Sequence, residues 1–218
     1  MNKVDYRLNA IIDGGLRPVG KLAALAGIAA RNGATIIQYR DKDASTREMI
    51  AEVEAIRAAL AGVGVPLLVN DRVDVALAAG ADGVHLGRDD ISAETARRLL
   101  GPDAIIGLTV KNEADADAAI AAPIDYACIG GVFETLSKKN PDAPVGLDGF
   151  RTLRARIRAA KPGLPVGAIA GIDTGRAGEA VRAGASGVAV ISAIFRADDI
   201  ATATRELRAA VDDAGGRP

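Results

Sequence analysis

The chain has 218 residues, a length that allows one domain of ordinary size or two very small ones. Its 27 basic and 28 acidic side chains leave a formal charge of -1, which excludes the basic surplus of a nucleic-acid-binding surface. A hydrophobic content of 49% is too high for a disordered chain, and no apolar run approaches the roughly 20 residues that span a bilayer.

Three segments of the chain share one pattern, a glycine that follows an alanine-rich stretch and precedes an apolar run. These segments are residues 32–37, 79–84 and 183–188. A glycine just past a helix end readily takes the left-handed conformation, and an apolar β-branched run after it predicts a strand. The interval from Gly33 to Gly80 equals about two units of roughly 25 residues, and the interval from Gly80 to Gly184 equals about four. Eight units of that length fill about 200 residues.

Eight short apolar segments are predicted as strands. In chain order they are Leu8–Ile12, Ala34–Gln38, Pro66–Val69, Gly83–Leu86, Ile105–Leu108, Tyr126–Ile129, Val166–Ala170 and Val188–Ile191. Their apolar residues are mostly continuous, as in parallel strands that are buried on both faces. Helical stretches lie between them, including Thr46–Leu60, Ser92–Leu100 and Ala201–Val211.

This alternation predicts an α/β fold, a compact (β/α)₈ TIM barrel that forms a single catalytic domain over residues 1–214. Residues 215–218 are expected to be a frayed C-terminal tail. Doubly wound sheets also alternate strands and helices but usually have fewer units, so the barrel is favoured.

Polar side chains follow the C-terminal ends of the predicted strands, where barrels of this class have their active sites. In strand order they are Gln38, Arg40 and Lys42; Asn70 and Asp71; His85, Asp89 and Asp90; Thr109; the segment Gly130–Gly146; Gly171; and Ser192. The opposite ends carry mostly glycine, alanine and proline turns. This asymmetry predicts one site at the C-terminal mouth of the barrel.

Asp71 and Asp90 are the candidate ligands of a magnesium ion at that mouth. Mg²⁺ is usually held by one or two carboxylates together with substrate phosphate and water. Such residues also serve as ordinary helix caps and turns, and for Asp89 a cap or turn role is supported as well as a metal-binding role. The chain has no cluster of cysteine and histidine of the kind that binds zinc.

The cations near the predicted mouth favour a polyphosphate ligand. They are Arg40, Lys42, Lys138 and Lys139, and Thr135, Ser137 and Asn140 add hydrogen-bond donors. Lysine point charges, the arginine fork and hydroxyl groups together suit a diphosphate, although a charged surface loop is the alternative for the lysine pair. Gly171 and Ser192 could bind a second phosphate through backbone N–H groups, so two phosphate-bearing substrates are expected.

Neither His85 nor Cys128 is expected to carry out acid–base or nucleophilic chemistry. His85 is the only histidine and has no clearly paired carboxylate, so a structural or orienting role is favoured. Cys128 lies inside an apolar strand and is expected in the core. A single cysteine permits no internal disulfide, and the N-terminus lacks a signal-peptide pattern, so we expect a cytoplasmic protein.

These motifs resemble the thiamine-phosphate synthase (thiamine-phosphate pyrophosphorylase) family of (β/α)₈ enzymes. The resemblance runs nearly end to end, and its most specific parts are residues 68–74 and 81–87, supported by 38–42, 135–139 and 190–194. The chain departs from the usual family pattern at several positions, notably Glu134, where proline is frequent, and Ala170, where glycine is. Both departures lie near the expected thiazole-phosphate site.

The resemblance implies a role for each matching residue. Mg²⁺ is the implied cofactor, with Asp71 and Asp90 as its ligands, and Arg40, Lys42 and Lys138 as the catalytic cations. The implied ligands of the pyrimidine diphosphate are Gln38, Tyr39, Arg40, Asp41, Lys42, Asn70, Thr109 and Lys138. Those of the thiazole phosphate are Thr135, Leu136, Ser137, Gly171, Ile191 and Ser192.

The implied reaction joins the thiazole nitrogen to the pyrimidine methylene and releases pyrophosphate. No general base is required, because the attacking nitrogen has a lone pair and no proton; the demand is electrostatic stabilisation of the leaving group. A thiazole tautomerase-like relative and a non-catalytic phosphate- or vitamer-binding barrel are the alternatives. The implied partners are small-molecule substrates, with no nucleic acid and no membrane; a homo-oligomer and the carboxylated or decarboxylated form of the thiazole are left open.

Overall fold

The computed structural model describes residues 4–16, 21–135 and 143–215. Eight parallel strands close into a barrel in which each strand pairs with its neighbours in the sequence and β8 pairs with β1. The strands are β1 Leu8–Asp13, β2 Ile36–Arg40, β3 Leu67–Asn70, β4 Gly83–Leu86, β5 Ile105–Val110, β6 Tyr126–Ile129, β7 Val166–Ile169 and β8 Val188–Val190. The predicted (β/α)₈ barrel is confirmed.

Helices alternate with these strands on the outside of the barrel. In the described part of the chain they are α1 Leu22–Arg31, α2 Thr46–Ala59, α3 Val73–Ala79, α4 Ala93–Leu100, α5 Glu113–Ala121, α6 Gly146–Ala160, α7 Thr174–Arg182, α8 Ser192–Phe195 and α9 Ile200–Asp213. A short 3₁₀ turn, Gly14–Leu16, follows β1. Within the described ranges, none of these helices combines the length and apolarity needed to cross a membrane.

The second strand begins two residues later than predicted and also ends later, at Arg40. The reason is that Ala34 N–H still donates to Ala29 O and closes the turn after α1, while Thr35 N–H donates to Leu8 O before the ladder begins. The ladder then continues until Arg40 lies opposite Asp13 of β1. The predicted Val166–Ala170 strand ends at Ile169 instead, because Ala170 has a φ of 84° and leaves the extended conformation.

The repeated glycine segments are the helix-to-strand turns that their pattern predicts. Gly80, with a φ of 66°, ends α3, and its N–H donates to Ala76 O. The polar residue that follows each turn also accepts a hydrogen bond at the start of a neighbouring strand: Leu67 N–H donates to Asp82 Oδ2 at 2.7 Å, and Val166 N–H to Ser186 Oγ at 3.2 Å. These bonds connect successive strands at the end of the barrel opposite the mouth.

Alternate strand residues pack into two separate cores. Leu8, Ala10 and Ile12 of β1 face the helices, in an outer core that contains many fully buried alanines. Ile11 faces the lumen with a second, smaller cluster that includes Tyr126 and Cys128. The alanine-rich composition therefore serves close helix packing, and Cys128 is buried as expected.

Candidate active site

The C-terminal strand ends surround a cavity of about 50 Å³ at the mouth of the lumen. Its lining includes Gln38, Arg40, Asn70, His85, Thr109 and Ile191, all named by the sequence. Lys111 lines it as well. The strand-end rule found most of this set, but it missed Lys111, which lies just two residues beyond Thr109.

Arg40 is held by an acidic partner that the sequence reasoning also missed. Its guanidinium forms an ion pair with Asp13 Oδ2, and both side chains are largely buried, at 18% and 12% exposure. Asp13 Oδ1 in turn accepts a hydrogen bond from Gly15 N–H at 3.0 Å. Asp13 is the last residue of β1, so the strand-end rule would have identified it if the strand had been predicted one residue longer.

Asp71 sits in a strained turn directly after β3. Its φ of 66° and the 2.8 Å hydrogen bond from Arg72 N–H to Asn70 O are features of a γ-turn, an uncommon conformation for a residue other than glycine. Its own N–H donates to His85 O at 2.8 Å. The carboxylate forms an ion pair with Lys42 Nζ, which is half exposed. Strain of this kind is typical of functional sites.

Asp90 lies against the same carboxylate. Its Oδ2 accepts a 2.7 Å hydrogen bond from Gly87 N–H, which orients the side chain. Burial raises the pKa of Asp90, and the neighbouring Asp71 carboxylate raises this pKa further, against the lowering effects of Gly87 N–H and the Lys42 ammonium. Two acidic groups that destabilise each other's charge make a favourable place for a cation.

The donor set therefore fits Mg²⁺ better than a metal that needs a closed protein cage. Within the described residues, no group of three or more histidine, cysteine or acidic side chains could hold a metal ion. Mg²⁺ characteristically takes one or two carboxylates and completes its coordination with water and substrate phosphate. Asp89, one residue before Asp90, is exposed, and the N-cap of α4 is Ser92 rather than Asp89.

Gln38 presents an unsatisfied donor in the lining of the mouth cavity. Its side chain is 1% exposed, and its Nε2 atom has no hydrogen-bond partner among the described residues. An unpaired buried donor costs about 1–3 kcal/mol, so an acceptor atom of a bound ligand would be stabilised here. This is the position expected of a residue that binds the pyrimidine.

His85 has both ring nitrogens engaged. Nδ1 is 2.9 Å from the Tyr126 hydroxyl, and Nε2 is 2.8 Å from Thr109 Oγ1. The imidazole is 7% exposed. This arrangement suits an orienting residue better than a general base. Tyr126 lies in an apolar strand, and only the strand register shows that its side chain faces the lumen.

A larger cavity of about 370 Å³ opens beside the mouth, at the ends of β7 and β8. Its lining includes Thr135, Gly171, Ile191 and Ser192, all named by the sequence, together with Glu134, Asp173 and Arg196. The structure therefore places four of the six expected residues of the thiazole-phosphate site around one opening. Arg196 is the cation that the sequence reasoning missed there, and it is exposed.

The wall of this larger cavity depends on backbone shape. Ala170 and Gly171 have φ angles of 84° and 64°, and a Cβ on Gly171 would lie 2.2 Å from Glu134 O. Arg176 holds the turn by donating to Gly171 O at 2.8 Å, and its guanidinium lies 4.9 Å from the centre of the Phe133 ring. Glu134 is exposed.

Several predicted residues do not join this arrangement. Tyr39 is buried in the outer core, and its hydroxyl is 3.4 Å from Asp41 Oδ2. Both residues line a different cavity of about 300 Å³ near α2, so their side chains lie away from the mouth. Leu136, Ser137 and Lys138, with Lys139 and Asn140, lie outside the described residues.

Comparisons with known proteins are consistent with this geometry. A family model described as thiamine monophosphate synthase matches residues 8–194. The thiamine-phosphate synthase of Agrobacterium fabrum is 66% identical over 98% of this chain and 97% of the relative, and that of Chloroflexus aurantiacus is 45% identical over 95% and 94%.

Solved structures give a similar result. The thiamine phosphate pyrophosphorylase of Pyrococcus furiosus superposes with a TM-score of 0.84 at 37% identity, covering 99% of this chain and 98% of that structure. Orotidine 5′-phosphate decarboxylase of Pyrococcus horikoshii has a TM-score of 0.65 at 15% identity, covering 93% and 99%, a likeness that extends to the fold alone.

Proposed function

The chain belongs to the thiamine monophosphate synthase family of transferases, and from this premise we propose that it makes thiamine phosphate in thiamine biosynthesis. The substrates are 4-amino-2-methyl-5-(diphosphooxymethyl)pyrimidine and a thiazole phosphate, and the second product is pyrophosphate. The observation that carries the proposal is the Asp71–Asp90 carboxylate pair beside Lys42, at a mouth that adjoins an open second cavity.

The diphosphate of the pyrimidine substrate is proposed to bind at the ends of β2 and β3. Arg40 and Asn70 line the mouth cavity, and Lys42 is half exposed and paired with Asp71, the residue after Asn70. The Asp13 ion pair restrains the Arg40 guanidinium before substrate arrives, so less side-chain freedom is lost on binding. By its resemblance to the family pattern, Lys138 adds a further cation.

Asp71 and Asp90 would hold Mg²⁺ in this corner. When bound, the ion stabilises the negative charge that develops on the departing pyrophosphate. Lys42 neutralises the Asp71 carboxylate in the protein alone, and it would turn toward the diphosphate once Mg²⁺ and the diphosphate are bound. The negative charge of this corner is then compensated by a cation both before and after the ligands bind.

The thiazole phosphate is proposed to bind in the larger cavity. Gly171 and Ser192 offer backbone N–H groups, Thr135 offers a hydroxyl, and Ile191 contributes an apolar wall between the two cavities. Leu136 and Ser137 complete this site by their resemblance to the family pattern. Arg196 has no ion pair or hydrogen bond from its guanidinium to any described residue, so it is available to the phosphate.

The reaction forms a C–N bond between the thiazole nitrogen and the pyrimidine methylene, while the methylene C–O bond to the diphosphate breaks. The electron pair of that C–O bond leaves with pyrophosphate, and no proton has to move in this step. The residues that face the leaving group are accordingly cations rather than bases. Preorganised charge of this kind lowers the barrier without reorganisation at the moment of reaction.

The test is the coupled reaction with purified protein. Both phosphorylated substrates and Mg²⁺ are mixed, and thiamine phosphate is measured by chromatography while pyrophosphate release is measured enzymatically. Equal amounts of the two products are expected, and both should disappear when either substrate is omitted or when the metal is chelated. Binding of both substrates without product would identify a non-catalytic barrel, and isomerisation of the thiazole phosphate alone would identify a tautomerase.

A further inference from the structure

Two tyrosines are fully buried in the barrel lumen, and each occupies space that a glycine leaves open. A Cβ on Gly107 of β5 would lie 2.0 Å from Tyr126 Cζ, and a Cβ on Gly167 of β7 would lie 1.8 Å from Tyr6 Cε1. The two phenol rings contact each other, with their centroids 4.7 Å apart. The lumen is therefore shaped to hold both rings in defined positions.

Only one of these hydroxyl groups connects to the mouth. Tyr126 Oη is 2.9 Å from His85 Nδ1, and His85 Nε2 is 2.8 Å from Thr109 Oγ1, which lines the mouth cavity. The imidazole and the Tyr126 ring are nearly parallel, at 18°. A three-member hydrogen-bond network therefore runs from the buried lumen to the site proposed for the pyrimidine, and its members are Tyr126, His85 and Thr109.

The donor and acceptor strengths of these side chains determine the direction of the hydrogen bonds in this network. Burial raises the pKa of Tyr126 well above its ordinary value, so the phenol keeps its proton. A phenol O–H is a stronger donor than an imidazole N–H, and an unprotonated imidazole nitrogen is the stronger acceptor. Tyr126 therefore donates to His85 Nδ1, and Nε2 is the ring nitrogen that carries the imidazole proton.

The direction continues to Thr109. His85 Nε2–H donates to Thr109 Oγ1 and occupies one of its lone pairs, which leaves the threonine proton for an acceptor in the mouth. We infer that Tyr126 is a positioning residue: through His85 it makes Thr109 a hydrogen-bond donor to a ring nitrogen of the pyrimidine substrate. This inference rests on the proposed function and adds the group that sets the polarity of that contact.

The experiment compares Tyr126→Phe with Tyr6→Phe as a matched control. Each variant removes one buried hydroxyl from the same lumen, but only Tyr126→Phe breaks the hydrogen-bond network that leads to Thr109. We expect Tyr126→Phe to raise KM for the pyrimidine diphosphate about tenfold, as loss of one oriented hydrogen bond does. Tyr6→Phe should change this KM less than about twofold, and neither variant should change KM for the thiazole phosphate.

A double-mutant cycle with Thr109→Val shows whether Tyr126 acts through the threonine. Once Thr109 cannot donate, Tyr126→Phe should have no further effect on KM for the pyrimidine diphosphate. Additive effects would overturn the inference, as would equal effects of the two tyrosine variants or unchanged kinetics in Tyr126→Phe. Melting temperatures of all variants separate these outcomes from unfolding. If the unmodified protein makes no thiamine phosphate, the proposed function fails instead.

Discussion

The two regions of the mouth that we propose as anion sites are built in different ways. At the ends of β1 to β4, charged side chains are fixed against each other, as in the Arg40–Asp13 and Lys42–Asp71 ion pairs. At the ends of β7 and β8, the cavity wall is shaped by left-handed backbone at Ala170 and Gly171. In the described part of its lining, Arg196 is the one arginine.

The difference matches the ligand that we propose for each region. The charged side chains of the first region suit a large, localised charge such as a diphosphate with a divalent cation, and its cavity is small, at about 50 Å³. The second region, at about 370 Å³, has room for a whole ring with its phosphate and offers mainly backbone and volume. Charge changes should therefore impair the first region, and added volume should impair the second.

The largest effect is expected from Asp90→Asn. Loss of one of the two carboxylates weakens the metal site, so kcat should fall by at least about 10²-fold, while the thiazole phosphate still binds. Asp89→Asn is the matched control, since it makes the same change at an exposed neighbour and should leave kcat within about twofold. Steady-state kinetics at saturating Mg²⁺ measures both; equal losses in the two variants would contradict the metal assignment.

Gly171→Ala should give the next largest effect, confined to the second region. The new Cβ would meet Glu134 O at 2.2 Å, and the φ of 64° is unfavourable for alanine, so we expect a loss of about 1–3 kcal/mol in stability. KM for the thiazole phosphate should rise about tenfold or more, and KM for the pyrimidine diphosphate should stay unchanged.

Gly62→Ala is the control for this substitution. Gly62 has a similar φ of 76°, but a Cβ there meets nothing within 4 Å, so this variant carries the backbone strain without the collision. Its kinetics should match the unmodified protein. If Gly171→Ala raised KM for both substrates alike, the two regions would not be separate sites.

Arg196→Ala should give the smallest of these effects. The side chain is exposed, so solvent screens its attraction to phosphate, and we expect KM for the thiazole phosphate to rise about threefold to tenfold. Arg158→Ala removes the same charge from an exposed site near the C-terminal end of α6 and serves as the control. If Arg196→Ala and Arg158→Ala both leave KM for the thiazole phosphate unchanged, Arg196 has no role in the second region.

The fold was predictable because its turns repeat. The glycine segments around Gly33, Gly80 and Gly184 set the unit length, and the continuous apolar strands predicted a parallel sheet. Boundaries were less predictable: Ala34 and Thr35 have strand-forming neighbours, but their N–H groups close the turn after α1 and anchor the start of β1.

The candidate site was predictable only where position along the chain was enough. Gln38, Arg40 and Asn70 follow from the rule that strand ends meet at the mouth. That rule does not include the two-residue alternation of a strand, which turns Tyr39 away from the mouth between Gln38 and Arg40. Asp41, the first residue after β2, lines the same cavity as Tyr39 and not the mouth.

Partners from distant segments were harder to predict. Asp13 faces Arg40 because of the register between β1 and β2, and Tyr126 reaches His85 only because Gly107 leaves space above its strand. Arg196 lies beyond the short helix α8, where the sequence shows no periodic signal. Each of these contacts depends on three-dimensional packing, which a single sequence does not specify.

Titration of pyrophosphate by calorimetry, with Mg²⁺ present, tests the central claim that the diphosphate and its metal belong to the ends of β2 to β4. The unmodified protein and Gly171→Ala should bind pyrophosphate with the same affinity, and Asp90→Asn should lose at least about tenfold. Chelation of Mg²⁺ should weaken binding in the unmodified protein to the level of Asp90→Asn. Full affinity in Asp90→Asn, or an equal loss in Gly171→Ala, would contradict the assignment of the two regions.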